Sequence, residues 1–194
     1  MSSVKPLRIA ISGAAGRMGR LLLELGASNA SLKISAALED GGNTAIGKEV
    51  PYSQGLRFTS DVRAALREAD VFIDFSRPEA TVHNIKICEE IRCPAVIGTT
   101  GLGSEQKVIE ESSKEIPIVF APNMSVGINL IFSLARTIAT ALGDGYDIEI
   151  IEAHHRNKID APSGTALRLG EIIAASLGRD LEQDAIFGRE GRTG

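Results

Sequence analysis

Tryptophan is absent from the sequence, and two tyrosines and six phenylalanines leave it 4% aromatic. That scarcity weakens the case for a stacking platform of the kind on which single-stranded nucleic acid is usually held. Positive charge is also short. Twenty-one lysines and arginines against 25 acidic residues give a net charge of −4, so no broad basic face for nucleic acid is implied. Only two cysteines are present, Cys88 and Cys93, which excludes a disulfide framework and reads as reduced cytosolic thiols. The most apolar stretch, Val126 to Leu142, is broken by Asn129, Ser133, Arg136 and Thr137 and reads as too polar to span a bilayer. Met1 to Pro6 lacks the apolar core of a signal peptide. Internal repeats and low-complexity segments are missing as well. What remains, 43% hydrophobic and 24% charged, is the profile of a soluble, cytoplasmic α/β protein able to bury a core without staples.

Hydrophobic patterning predicts strands at 7–12, 33–38, 71–75, 95–97 and 116–121. Between them it predicts helices from Arg17 to Leu25 (with Met18, Leu21, Leu22 and Leu25 on one side), from a cap at Asp61 to about Glu68, from Pro78 through Ile91, and from a cap at Ser104 to about Lys114. Gly41 to Arg57, with four glycines and Pro51, reads as a long surface loop. Strand and helix in alternation call for a doubly wound parallel sheet. The character changes at Pro122 and Asn123. A long helix, 126–142, is followed by a turn, a strand from Asp147 to Ala153, a polar loop from His154 to Ser163 and a helix from Gly164 to about Ser176. This sets a dinucleotide-binding domain at 1–122 and a substrate-binding, catalytic domain at 123–194. One strand cannot form a sheet, and the glycine-rich tail 187–194 shows no periodic element. The second domain is therefore expected to be an incomplete α+β unit.

Gly13, Gly16 and Gly19 are spaced G-x-x-G-x-x-G, directly after a strand and opening a helix. The first glycine allows the turn, the second lets backbone approach a pyrophosphate, and the third lets helix and strand pack closely. Glu39 ends the second strand, where a carboxylate can bond both ribose hydroxyls. Dinucleotide binding is the stronger reading, and a bare structural turn is the weaker. A phosphate on the adenosine ribose wants a cation beside that acidic position. The neighbour here is Asp40, so NADH is favoured over NADPH, although Arg17 remains within reach. Gly98, Thr99, Thr100 and Gly101 follow another strand end and read equally well as a ligand loop or as a capped turn. Ala121, Pro122, Asn123 and Met124 are a candidate lining of the nicotinamide pocket, or a plain hinge.

The loop Glu152 to Ala166 is the most unusual stretch. Of the five residues 154–158, four (His154, His155, Arg156 and Lys158) can carry positive charge, which suits an anionic substrate. An imidazole passes protons near neutral pH, and a lysine among cations becomes a useful donor. The plainer alternative is a solvated basic loop. Adjacent histidines at a strand end point to opposite sides, so no metal is expected. Ser163 has the form of a helix cap, and a helix start is also an anion site to which Gly164 and Thr165 would contribute. His83 reads as an ordinary surface or packing residue.

Taken together, residues 13–19, 71–78, 98–101, 121–125 and above all Glu152 to Thr165 resemble the dihydrodipicolinate reductase family of lysine and diaminopimelate synthesis. The resemblance implies a Rossmann-like cofactor domain and reduction by NAD(P)H of a cyclic imine dicarboxylate with loss of water. It further implies His154 as acid–base residue, Lys158 as proton donor, and His155, Gly164 and Thr165 as substrate-holding residues. Gly13, Ala14, Ala15, Gly16, Arg17, Met18, Glu39, Gly98, Thr99, Thr100 and 121–124 would line the cofactor. Many family members have arginine where this chain has Asp40. The family also continues past Gly194, returning to the cofactor domain, and forms homotetramers through its substrate domain. Two other readings stay open: a nicotinamide oxidoreductase acting on another amino-acid-derived imine or aldehyde, and a dinucleotide-binding module without catalysis.

Overall fold

A computed structural model describes residues 5–156, 158, 160–189 and 191–192. The chain divides into two compact units, Met1–Ala121 and Pro122–Gly194. In the first, six strands form one sheet: β1 (Leu7–Ser12), β2 (Leu32–Leu38), β3 (Phe58–Thr59), β4 (Val71–Asp74), β5 (Ala95–Ile97) and β6 (Ile118–Phe120). Their order is β3-β2-β1-β4-β5-β6, and every pair is parallel. The winding reverses between β1 and β4. Such a reversal opens a crevice beyond the carboxyl ends of these two strands, where open α/β sheets bind ligands.

Alternation along the strands splits the apolar residues between two cores. On one face Ile9 and Ile11 pack with Ala37, Phe58, Val50 and Leu23, the last from α1 (Arg17–Ser28). On the other, Ala10, Leu38, Phe72, Ala95 and Ile97 meet helices α2 (Val62–Arg67), α3 (Pro78–Ile91) and α4 (Gln106–Ser112) through Leu66, Ile85 and Ile109. Both cysteines are free and buried there. Asp61 caps α2 by accepting from Ala64 N–H at 2.9 Å, and Pro78 opens α3.

The structure departs from the sequence reading at several places. The buried side of α1 carries Gly19, Leu23 and Gly26, while Met18, Leu21 and Leu25 are exposed. Glycine at 26 lets the helix lie against Ile9 and Ile34, so closeness rather than the leucine stripe decides which side faces the sheet. Ser104 does not cap a helix. It lies inside a short 3-10 turn, Gly103–Glu105, with no side-chain cap. The loop 41–57 runs over the surface as expected, but it is anchored: Val50 is 2% exposed, and its N–H donates to Leu56 O at 2.8 Å.

The second unit holds α5 (Val126–Leu142), α6 (Gly164–Ser176) and α7 (Leu181–Asp184), with α5 packed on α6. Asp147–Ala153 is not a strand, despite its alternating isoleucines. Instead β7 (Asp160–Ala161), inside the expected polar loop, pairs antiparallel with β8 (Gly191–Arg192), inside the expected featureless tail. Only Phe132 and Ala139 of α5 are buried. By length and composition the stretch Val126–Gly145 passes as a membrane span, with mean hydropathy 1.5, so it is more apolar than the interrupted sequence suggested. Arg136 sits near its middle, where a bilayer centre would charge about 3 kcal/mol for it.

Candidate active site

At the end of β1, Gly13 turns the chain with φ +69°. A Cβ there would lie 2.4 Å from the carbonyl oxygen of Phe75, and a Cβ on Gly19 would lie 2.2 Å from that of Gly13. No side chain fits at either position. Gly16 is the N-cap of α1 and offers no side-chain acceptor, so the N–H groups of Arg17, Met18 and Gly19 stay uncapped at the positive end of the helix dipole. Bare backbone and uncapped donors fit a pyrophosphate. Ala14 is buried and donates to Leu38 O at 3.1 Å, which ties the turn to β2.

Glu39 is drawn onto this turn. Its Oε1 accepts from Ala15 N–H at 2.7 Å, and its Oε2 accepts from Asn43 Nδ2 at 3.0 Å. Arg20 holds the same turn from the other side, donating from Nε to Ala15 O at 2.9 Å. The sequence reading missed Asn43 and Arg20. Asn43 lies in a loop whose path no periodicity encodes, and Arg20 is one exposed cation among many. Asp40 shapes the loop by accepting from Gly42 N–H at 2.9 Å, while Arg17 is exposed.

Beneath the crevice lies a buried polar cluster that sequence reasoning also missed. Asp74, fully buried at the end of β4, accepts from Ser76 N–H at 3.0 Å, and its Oδ2 has no hydrogen-bond partner among the described residues. Burial pushes its carboxyl above the usual range, against the pull of nearby Ser76, Thr81 and Ser12. Thr81 donates to Thr99 Oγ1 at 2.9 Å, Ser76 N–H donates to the same oxygen at 3.1 Å, and Asn84 donates to Ser12 Oγ at 3.2 Å. The Thr99 side chain is thus spent inside the fold, while Thr100 is exposed. Gly98 backs onto the ring of Phe75, 2.1 Å from where a Cβ would be. An interior aspartate in an apolar run was the available signal, because such a residue needs partners.

In the second unit, Asn123 organises the start. Its Oδ1 accepts from Ser125 N–H at 2.9 Å and its Nδ2 reaches Thr165 Oγ1 at 3.3 Å. Met124 beside it is partly exposed. Ser163 caps α6, accepting from Ala166 N–H at 3.0 Å. Gly164 and Thr165 are the first two helical residues, where backbone N–H groups lie beyond the reach of intrahelical carbonyls and suit an anion. Glu152 gathers the constellation. Its Oε1 accepts from Ser163 N–H at 2.7 Å, while its Oε2 meets the Ser163 hydroxyl and His154 Nε2, the latter at 2.7 Å. Burial opposes ionisation of Glu152, but the Ser163 and His154 contacts outweigh it and hold the carboxyl down at about 2. His155 and Lys158 are joined through the backbone, Lys158 N–H donating to His155 O at 3.1 Å. Because 147–153 is not a strand, the expected strand-end splaying of the two histidines has no basis here.

A β3-β2-β1-β4-β5-β6 parallel sheet with a glycine turn at its switch point defines a Rossmann-type dinucleotide-binding protein, here with a second unit in which a histidine, His154, meets the carboxylate of Glu152. The profile of the dihydrodipicolinate reductase N-terminus matches residues 7–124, and that of the C-terminus matches 127–193. The chain belongs to the dihydrodipicolinate reductase family. It is 50% identical to the 4-hydroxy-tetrahydrodipicolinate reductase of Aromatoleum aromaticum, over 100% of this chain and 72% of that one. The enzyme of Neisseria meningitidis serogroup C is also 50% identical, over 97% of this chain and 72% of the relative. Among solved structures, dipicolinate-bound dihydrodipicolinate reductase from Paenisporosarcina sp. TG-14 superposes with a TM-score of 0.71 at 26% identity, covering 97% of this chain and 72% of that one.

Proposed function

We propose that this chain catalyses the NAD(P)H-dependent reduction of 4-hydroxy-tetrahydrodipicolinate to tetrahydrodipicolinate, with loss of water, in diaminopimelate and lysine biosynthesis. The observation that carries it is the Glu152–His154–Ser163 constellation at the start of α6, where an imidazole and the helix-start N–H groups are tied to one capping residue. That arrangement suits a dicarboxylate that must be held and protonated.

Gly13, Ala14, Ala15, Gly16, Arg17 and Met18 form the turn that takes the pyrophosphate, with the helix-start N–H groups of Arg17 and Met18 as its donors, and Glu39 reads the ribose. Gly98, Thr99, Thr100, Ala121, Pro122, Asn123 and Met124 line the rest of the cofactor. The bound dinucleotide supplies the hydride, delivered to the ring carbon conjugated with the imine. His154 serves as acid–base residue, and Lys158 donates the proton that the neighbouring carbon takes up. His155, Gly164 and Thr165 hold the substrate carboxylates. The working protein is a cytoplasmic homotetramer, assembled through its substrate domain.

Supplying the imine should trigger NADH oxidation, and dipicolinate should compete. His154→Ala and Lys158→Ala should lower turnover while NADH affinity stays nearly unchanged; loss of NADH binding in both would refute their roles. Cofactor binding that ignores dipicolinate would favour the non-catalytic module. NADH is the preferred cofactor in this reading, because Asp40 adds a second carboxylate beside Glu39 where a ribose phosphate would want a cation. Asp40→Arg should therefore raise kcat/KM for NADPH by roughly tenfold, about 1.4 kcal/mol. Steady-state kinetics with both cofactors checks this.

A further inference from the structure

We infer that Glu152 is a positioning residue: its carboxylate fixes the proton of His154 on Nε2, leaves Nδ1 as the ring atom that exchanges protons, and ties the ring to the first turn of α6. Hydrogen-bond accounting leads there. An ionised carboxylate only accepts, and the Ser163 contacts keep Glu152 ionised well below neutral pH. The Ser163 hydroxyl has one proton. Its oxygen already accepts from Ala166 N–H, so the contact between Ser163 Oγ and Glu152 Oε2 uses that proton. Oε1 takes Ser163 N–H at 2.7 Å. At 2.7 Å from Oε2, His154 Nε2 then has no proton to receive and must donate. A carboxylate that orients an imidazole in this way selects its tautomer.

The same carboxylate binds the N-cap residue of α6, whose next two N–H groups are the proposed anion donors. Ring and anion site are therefore carried on one bracket, with Ser163 as its pivot. A cap-supporting role alone would require only the Ser163 contacts. The His154 contact is the part that such a role leaves unused.

The catalytic consequence rests on the reductase reading, whereas the tautomer does not, and the test separates them. Nitrogen NMR of the chain, with His154 assigned by His154→Gln among its three histidines, should show neutral His154 as the Nε2–H tautomer. In Glu152→Gln the amide oxygen stays with Ser163 N–H and the amide NH2 faces the ring, so the proton should move to Nδ1. Turnover should fall on the order of tenfold to a hundredfold, with the KM for NADH unchanged. Ser163→Ala should leave the Nε2–H tautomer in place. A wild-type His154 in the Nδ1–H or an evenly mixed form overturns the proposal, even if Glu152→Gln fails to fold. So does a Glu152→Gln protein with wild-type tautomer and turnover. An Nε2–H tautomer in a chain that does not reduce the imine supports the positioning role and sinks the reductase reading instead.

Discussion

Gly19 and Asp74 show two ways in which a single residue constrains the crevice at the head of the sheet. The α-hydrogen of Gly19 faces backbone, with Gly13 O 2.2 Å and Ala14 Cα 2.5 Å from where a Cβ would sit. Backbone cannot swing aside as a side-chain tip can. Gly19→Ala should therefore cost about 1–3 kcal/mol of stability, and weaken NADH binding by disturbing the uncapped helix start. Urea unfolding and a cofactor titration on the same protein check both. Asp74 stores a different cost. Its native carboxyl is raised above the ordinary 3.8 by burial, so the folded state holds that proton more tightly than the unfolded one. Stability from this group is thus greatest below 3.8 and falls as pH rises through the native value. Asp74→Asn removes the titration. Relative to wild type it should gain stability with rising pH across that window, read from urea midpoints. A variant that instead loses ground with rising pH would show that Asp74 is held as a carboxylate.

At the scale of elements, α6 begins on a double support: Ser163 caps it, and Glu152 binds Ser163. Ser163→Ala should cost about 1 kcal/mol for the cap, with a further loss because Glu152 Oε2 is deprived of a donor. Acid should mimic this. Glu152 is depressed from 4.5 to about 2, so its contribution is full above 4.5 and lost as pH falls toward 2. Hydrogen exchange at the Ala166 amide reads the fraying, and Glu152→Gln should not show it. Elements of this kind were legible in sequence where local chemistry sufficed: the Asp61 and Ser163 caps, Pro78 at a helix start, the apolar runs of β1 and β4. Elements that exist only through pairing were not. Phe58–Thr59 is too short to show a period, and β7 and β8 make each other. Conversely, Ile148 and Ile150 alternate as a strand would, yet no partner pairs with them among the described residues. The glycine turn and the basic loop were visible because three glycines at a fixed spacing after a strand, and four cationic side chains in five residues, are unusual patterns. Asn43, Arg20, Thr81, Asn84 and Glu152 were not assigned roles, because each acquires one only from a neighbour brought by the fold.

For the whole molecule, the division at Ala121 separates two unequal cores. Unit 1 closes a two-sided sheet over Phe72, Ile11, Leu23 and Ile97, all nearly inaccessible to solvent. Among the described residues of the second unit Phe132, Ala139, Ile172 and Ala174 are the buried apolar ones, whereas Val126, Leu130, Ile131, Leu134 and Ile138 are exposed. Fully burying a large side chain contributes about 1.5–3 kcal/mol, so the first unit should hold its structure to a higher temperature. Calorimetry should resolve a lower transition for residues 122–194, and NADH should raise the upper one more. A single transition shifted as a whole would count against independent units.

The ring of Phe75 rests where any side chain on residue 98 would begin. A substitution at 98 is therefore written in one codon and expressed at another, as a displaced ring next to Ser76 and the buried network. In a library that randomises both positions, the two columns should not vary separately. Larger residues at 98 should survive only with smaller ones at 75, so that the pair is inherited as one character.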